Sequence, residues 1–262
     1  MKNYIMLLFI TVLFSRCDKL AEAYVGLPMQ PKNINAEFEP GLNVFGVLTT
    51  GTLPTLNDSL RNYFEIQEIK QLSDTSQQFI PDVFIQLDLH RTNFDTTYIV
   101  KDTVDFTYYN SKIKTNPGDL YLFQCNYNGF FVTSQTLVPN IPEIVSNSLT
   151  RDASKITFEI KEDASAFLYD VYYTNENGAT FQRQSSNING NTLISINSSH
   201  NNISLAVFAY DKNYEQYVST SNIFFKPNAY RPMYSTVEGG YGCVFSVCSE
   251  GYTIIGASLE HN

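Results

Sequence analysis

Four cysteines, three histidines and one alternating run of acids and amides are the residues of this 262-residue chain whose types and spacing bear on chemistry. Cys17 follows an apolar stretch directly, in "LFITVLFSRCDKLAEAY" (Leu8 to Tyr24). A cysteine in that place is a candidate lipid acceptor, because cleavage before it leaves an N-terminal cysteine that can carry acyl chains. Cys243 and Cys248 bracket "CVFSVC" with four residues between them, which is neither C-x-x-C redox spacing nor a zinc pattern with further partners. With Val244 to Val247 extended, their Cα atoms lie about 16 Å apart and their side chains face opposite sides. A disulfide needs an approach within roughly 7 Å, so a Cys243–Cys248 bridge requires the segment to turn back on itself. The alternatives are three free, packed thiols, or Cys125 paired with one of the two.

The other chemical groups are weaker. His90, His200 and His261 are far apart in sequence with no second ligand at metal spacing, and read as turn or surface residues. In "DKNYEQY", Asp211, Asn213 and Glu215 alternate like the start of a calcium loop. The central glycine and the distal bidentate glutamate are missing, so a turn after "SLAVFAY" is the expectation. The sequence has no G-x-S-x-G, P-loop, H-E-x-x-H or dinucleotide fingerprint. No residue is assigned as catalytic, metal-binding or cofactor-binding, and a non-enzymatic role is expected.

Lys2 begins a short basic region, and Ile5 to Phe14 is apolar except for Thr11. A membrane-spanning helix needs about 20 apolar residues, so this run is the h-region of an export signal. Two cuts compete. Cleavage before Cys17 places Arg16 where a small residue is usual, whereas cleavage after Ala21-Glu22-Ala23 leaves a long charged stretch before the cut. The position of the cysteine favours the first: a signal peptide over 1–16, then a Pro- and Asn-rich tether over 17–41. No later segment is long and apolar enough to cross a bilayer as a helix.

The body of the chain must position whatever it carries with strands. Formal charge is −9, and removing residues 1–16 leaves 15 bases against 26 acids, a net −11. That balance repels phosphate backbones and, with no Lys/Arg stripe to offset it, disfavours a nucleic-acid binder. Tyr and Phe are abundant, Trp is absent, and short apolar runs alternate with turn residues. In "PDVFIQLDL", Val83, Ile85, Leu87 and Leu89 recur at every second position, the mark of a half-buried strand. Asn128-Gly129 between "LYLFQCNY" and "FFVTSQTLV" is a two-residue hairpin signal, and Asn177-Gly178 and Asn189-Gly190 mark further turns. "PNIPEI" (Pro139 to Ile144) carries two prolines and reads as a break between domains. The expected architecture is all-β, with two tandem β-sandwiches of immunoglobulin-like or fibronectin-III-like type over 42–140 and 141–226. A C-terminal extension over 227–262 is expected to pack on the second sandwich.

Several stretches together resemble a family of Bacteroidota cell-envelope lipoproteins that carry a domain of unknown function. They are the N-terminal cysteine, "LNVFGVLT", "PGDLYLFQCNYNGFFVTSQTLVPNIPEI" and the closing "STVEGGYGCVFSV". The last is similar to a family ending of the type Asn-Ile-Glu-Gly-Gly-Leu-Gly-Ile-Phe-Gly. Thr236-Val237 stand near that Asn-Ile, and Cys243 departs from the usual aliphatic residue. The resemblance implies an outer-membrane lipoprotein on the periplasmic or surface face, associated with a TonB-dependent receptor, with no activity and no catalytic residues to carry over. Asp58-Ser59-Leu60, Asp95-Thr96-Thr97 and Asp102-Thr103-Val104 resemble the O-glycosylation acceptors of exported Bacteroidota proteins. Three functions follow as expectations: docking on, or ligand presentation to, such a receptor; glycan binding through Tyr and Phe platforms; and a structural or adhesive role through an exposed sheet edge.

Overall fold

Side chains at every second position settle most of the fold. Ile85, Leu87 and Leu89 are buried while Gln86, Asp88 and His90 are not, so this stretch can lie only as a strand with one dry face. The computed structural model describes residues 40–52, 62–69, 80, 82–91, 94–104, 107–187, 189–221 and 235–261. Eight strands come first: β1 (Gly41–Gly51), β2 (Tyr63–Ile69), β3 (Phe84–Arg91), β4 (Phe94–Val100), β5 (Asp102–Val104), β6 (Thr107–Tyr109), β7 (Leu120–Tyr127) and β8 (Phe130–Leu137). The second group is β9 (Thr150–Arg151), β10 (Lys155–Ile160), β11 (Leu168–Asn175), β12 (Gly178–Ser185), β13 (Thr192–Asn197) and β14 (Asn202–Tyr210). The helix α1 (Lys212–Ser221), the long β15 (Tyr241–Ile255) and β16 (Ser258–His261) follow. The architecture is all-β, as the strand spacing requires. The β7–β8 hairpin turns at Asn128 and Gly129, with φ of 47° and 84°, the positive values that an Asn-Gly turn supplies.

Two sandwiches are present, but they share a sheet. One nine-stranded sheet runs β12-β11-β14-β15-β1-β2-β6-β5, with β16 also paired to β15. The sheet β4-β3-β7-β8 packs on one half of it, where Val44, Phe64 and Ile66 meet Ile85, Leu87 and Phe123. The sheet β13-β10-β9 packs on the other half, where Val171, Leu205, Val207 and Tyr252 meet Ile156, Phe158 and Ile194.

The C-terminal segment, expected to pack on the second sandwich, pairs with strands of both. The first part of β15 lies parallel to β1, from Asn43–Tyr241 to Gly51–Ser249. Its second part lies antiparallel to β14, from Tyr210–Val247 to Asn202–Ile255. One strand thus completes both sandwiches, because "YGCVFSVCSEGYTII" is apolar or small at nearly every position and can be buried on both faces. Gly242 is required by that docking: its φ is +103°, and an added Cβ would stand 2.0 Å from the Val44 carbonyl oxygen.

The expected turn at "DKNYEQY" is the start of α1. Asp211 caps it, accepting from the Tyr214 N–H at 3.0 Å. Tyr214 and Tyr217, three apart, fall on one helix face and pack with Phe45 and Phe245 on the sheet. That contact makes a helix of a short, polar stretch.

Candidate functional site

The structure distributes the residues singled out by sequence rather than gathering them. Cys17, Arg16, the signal peptide, the tether up to residue 39 and Asp58-Ser59-Leu60 lie outside the described residues, and Gly41, expected at the tether's end, opens β1. Cys243 and Cys248 are five positions apart on the extended β15, so they face opposite sides; both are free, and the turned-back bridge does not form. Cys243 lies under α1 with Val47, Phe245 and Val247, and Cys125 lies in the core of the first sandwich. Burial pushes all three thiols up to about 12, which keeps them protonated and unreactive.

The histidines are also kept apart from one another by the fold. His90 Nδ1 is 3.0 Å from Asp95 across the β3–β4 hairpin, and the His200 carbonyl accepts from Arg151. His261 lies in β16. In the Asp95 triplet, Thr97 donates to Asp88 at 2.6 Å. Among the described residues no group of three or more His, Cys, Asp or Glu is placed to hold a metal.

Two of the three residues that alternate like a calcium loop, Asp211 and Asn213, hold the seam instead, and Glu215 lines a separate groove. Asp211, 3% exposed, accepts from the Thr136 hydroxyl of β8 as well as from Tyr214. Ser246 Oγ of β15 lies 2.8 Å from Thr136 Oγ1 and donates to the Leu137 carbonyl at 3.1 Å. Asn213 donates to the carbonyls of Gln135 and Val244, both at 2.8 Å. Burial raises the Asp211 carboxyl to about 7 against these hydrogen bonds. A cleft of about 340 Å³ opens beside it, lined by Leu120, Leu137, Phe167 and Lys212 among others. The hydrogen bonds of Thr136, Ser246 and Asn213 tie β8, β15 and α1 to one another, which makes this a structural junction.

A different constellation presents itself to solvent. On the outer face of the shared sheet, aromatic rings run from strand to strand. Phe245 and Tyr210 lie under α1 in contact with its Tyr214, then come Phe208, Tyr172 and Phe181. Tyr172 and Phe181 are register partners of β11 and β12, stack at 5.3 Å, and are 43% and 48% exposed. Beside them a groove of about 350 Å³ lies between α1 and the ends of β11 and β12, lined by Leu168, Arg183, Gln184, Ser185, Glu215, Val218 and Ser219.

Arg183 is the fixed member of the groove. It makes two parallel hydrogen bonds to Asp170, 2.7 Å from Nε and 2.6 Å from Nη2, and Asp170 is 1% exposed. Its guanidinium carbon lies 5.7 Å from the Phe181 ring centre and 5.9 Å from that of Tyr214. The bond to Asp170 raises the already high pKa of Arg183, so its charge is permanent. With Asp170 neutralising Arg183, the groove offers hydrogen-bond donors and acceptors, one carboxylate at Glu215, and an apolar ring at its margin. Such a surface suits a polar, hydroxyl-bearing ligand better than a polyanion. No motif marked it, because its residues come from three separate stretches of chain. The signal in the sequence was limited to the strand pattern of "ATFQRQS".

No family model matches the chain, and no curated protein matches it. Similar solved structures include a two-domain fibronectin type-III segment of chicken tenascin, at 9% identity over 65% of this chain and 91% of that one, with a TM-score of 0.23. Another is the chicken interferon gamma receptor alpha chain, at 9% identity over 65% of this chain and 89% of that one, with a TM-score of 0.21. A third is the tetra-tandem repeat of a large adhesion protein, at 9% identity over 81% of this chain and 49% of that one, with a TM-score of 0.23. At these scores the likenesses carry no argument about function. Among the described residues no helix is long and apolar enough to cross a membrane.

Proposed function

We propose that this chain is a non-enzymatic binding module of the cell envelope, held at the outer membrane by acylated Cys17, that takes a neutral, hydroxyl-rich ligand such as an oligosaccharide. The observation that supports the ligand class is the groove between α1 and β12. There Gln184, Ser185, Glu215 and Ser219 stand around a charge-neutralised Arg183, beside the exposed ring of Phe181. Sugar hydroxyls pair with such a mixed set of donors and acceptors, and the apolar face of a sugar packs on an aromatic ring. Presentation of that ligand to a TonB-dependent receptor is the finer part of the proposal, and it comes from the family resemblance.

The test is calorimetric titration of the full chain with a panel of neutral oligosaccharides and matched sulfated ones. Binding of a neutral member, weakened about tenfold by Gln184→Ala or Glu215→Gln, is the expected result; loss of one hydrogen bond to a ligand costs on the order of 1.4 kcal/mol. Binding confined to sulfated sugars, or unchanged by both substitutions, overturns the groove reading. Intact-mass analysis of the envelope protein tests the anchor: acylated Cys17 supports it, and a mature chain starting at Tyr24 sinks it. Co-purification with a large β-barrel tests the receptor association.

A further inference from the structure

We propose that the outer edge of β12 pairs antiparallel with β12 of a second copy of this chain, across a two-fold axis at Gln182. This inference does not rest on the ligand groove. An unpaired strand edge presents a row of free backbone donors and acceptors, and stable proteins blunt such edges with charge, proline, bulges, brevity or cover. Most edges here are blunted. β5 has three residues and begins at Asp102, β9 has two, and β4 carries Asp95. β8 is bridged at Thr133 by Glu238, through hydrogen bonds of 3.0 and 2.8 Å. β13 has six residues.

β13 and β12 carry neither proline nor an unpaired charge, and β12, with eight residues, is the longer of these two open edges. It ends the nine-stranded sheet, and among the described residues no strand pairs with its far side. All eight of its residues pair with β11 in one unbroken register, so no bulge twists the edge away. "GATFQRQS" contains no proline and one charge, and that charge is held by Asp170.

Self-complementarity points to a second copy as the occupant. With the axis at Gln182, Phe181 of each copy stands opposite Arg183 of the other, Thr180 opposite Gln184, and Ala179 opposite Ser185. The outward set Ala179, Phe181, Arg183 and Ser185 stays on one face, as strand parity demands. Each guanidinium then meets a second Phe181 ring, the same cation–π partner it has within its own strand. An axis at Arg183 would oppose two guanidinium groups, and an axis at Phe181 would leave each Arg183 against Ala179. The Gln182 register satisfies both side chains, in the isologous geometry of a two-fold interface.

Cross-linking tests this directly. Residues opposite one another on antiparallel strands have Cα atoms about 4.5–5.5 Å apart, within disulfide reach. In detergent extracts of the full-length chain, Gln182→Cys should form a covalent dimer at least about tenfold faster than a control cysteine at exposed Asp152. Thr180→Cys and Gln184→Cys should link when combined in one chain or mixed as two variants, and neither should link alone. Phe181→Lys added to Gln182→Cys brings like charges together and should slow linking about tenfold. Linking of Gln182→Cys no faster than the control, linking to some other protein, or insensitivity to Phe181→Lys overturns the proposal. Sedimentation velocity of the unmodified chain is the independent measurement. A dimer that Phe181→Lys dissociates supports the edge, and a monomer throughout the micromolar range overturns it.

Discussion

Asp211 offers the sharpest quantitative test of how the two sandwiches are joined. Its carboxyl is buried between β8, β15 and the first turn of α1, and burial moves it from the usual 3.8 to about 7. A shift of about 3 units, at about 1.4 kcal/mol each, corresponds to roughly 4 kcal/mol between the two protonation states. The folded chain holds this proton more tightly than the unfolded chain does. The contribution of the group to stability is therefore full below about pH 4, and is lost as pH rises through about 7. Asparagine at this position still caps the helix, its amide oxygen accepting from the Tyr214 N–H while its amide nitrogen donates to Thr136 Oγ1, but it cannot ionise. Urea unfolding of the full chain and of Asp211→Asn at pH 5, 6, 7 and 8 separates the alternatives. The variant should gain on the unmodified chain by about 1 kcal/mol per pH unit up to about pH 7, then level off. Titration of Glu176, lowered to about 2 by its hydrogen bonds to Ser199, is common to both proteins and cancels. A stability difference that is constant with pH, or that moves the other way, would refute the reasoning. It would mean that the capped helix and the hydroxyls hold an ordinary ionised carboxylate.

Other predictions follow from single contacts. Gly242→Ala forces a Cβ against the Val44 carbonyl at a positive φ and should cost about 3 kcal/mol or more, read as a lowered urea midpoint. Arg183→Met leaves the 1%-exposed Asp170 without its bidentate partner; the side chain of Arg183 is itself 37% exposed, so the expected loss is about 2–4 kcal/mol, which Asp170→Asn in the same chain should partly restore. The thiols of Cys125, Cys243 and Cys248 should be silent to a thiol reagent in the native chain, and all three should react in denaturant without a reductant; one reacting thiol would reveal a disulfide.

What the sequence determined by itself is local. Alternation in "PDVFIQLDL" and "KITFEIK", together with Asn-Gly at 128–129, was enough to place strands and a hairpin, because side-chain parity and positive φ are properties of neighbouring residues. The spacing in "CVFSVC" already showed that an extended strand cannot close a disulfide. Three features were decided only by the tertiary structure. "DKNYEQY" became a helix because Tyr214 and Tyr217 found Phe45 and Phe245, which lie on strands far away in the sequence. The C-terminal segment became the strand common to both sandwiches because burial on two faces needs neighbours on two sides, β1 and β14. The groove exists only where Leu168, Arg183 and Glu215 meet. Local pattern chooses the element and its wet face. Which elements become neighbours is chosen by the burial of apolar surface across the whole chain, and no short window of sequence holds that information.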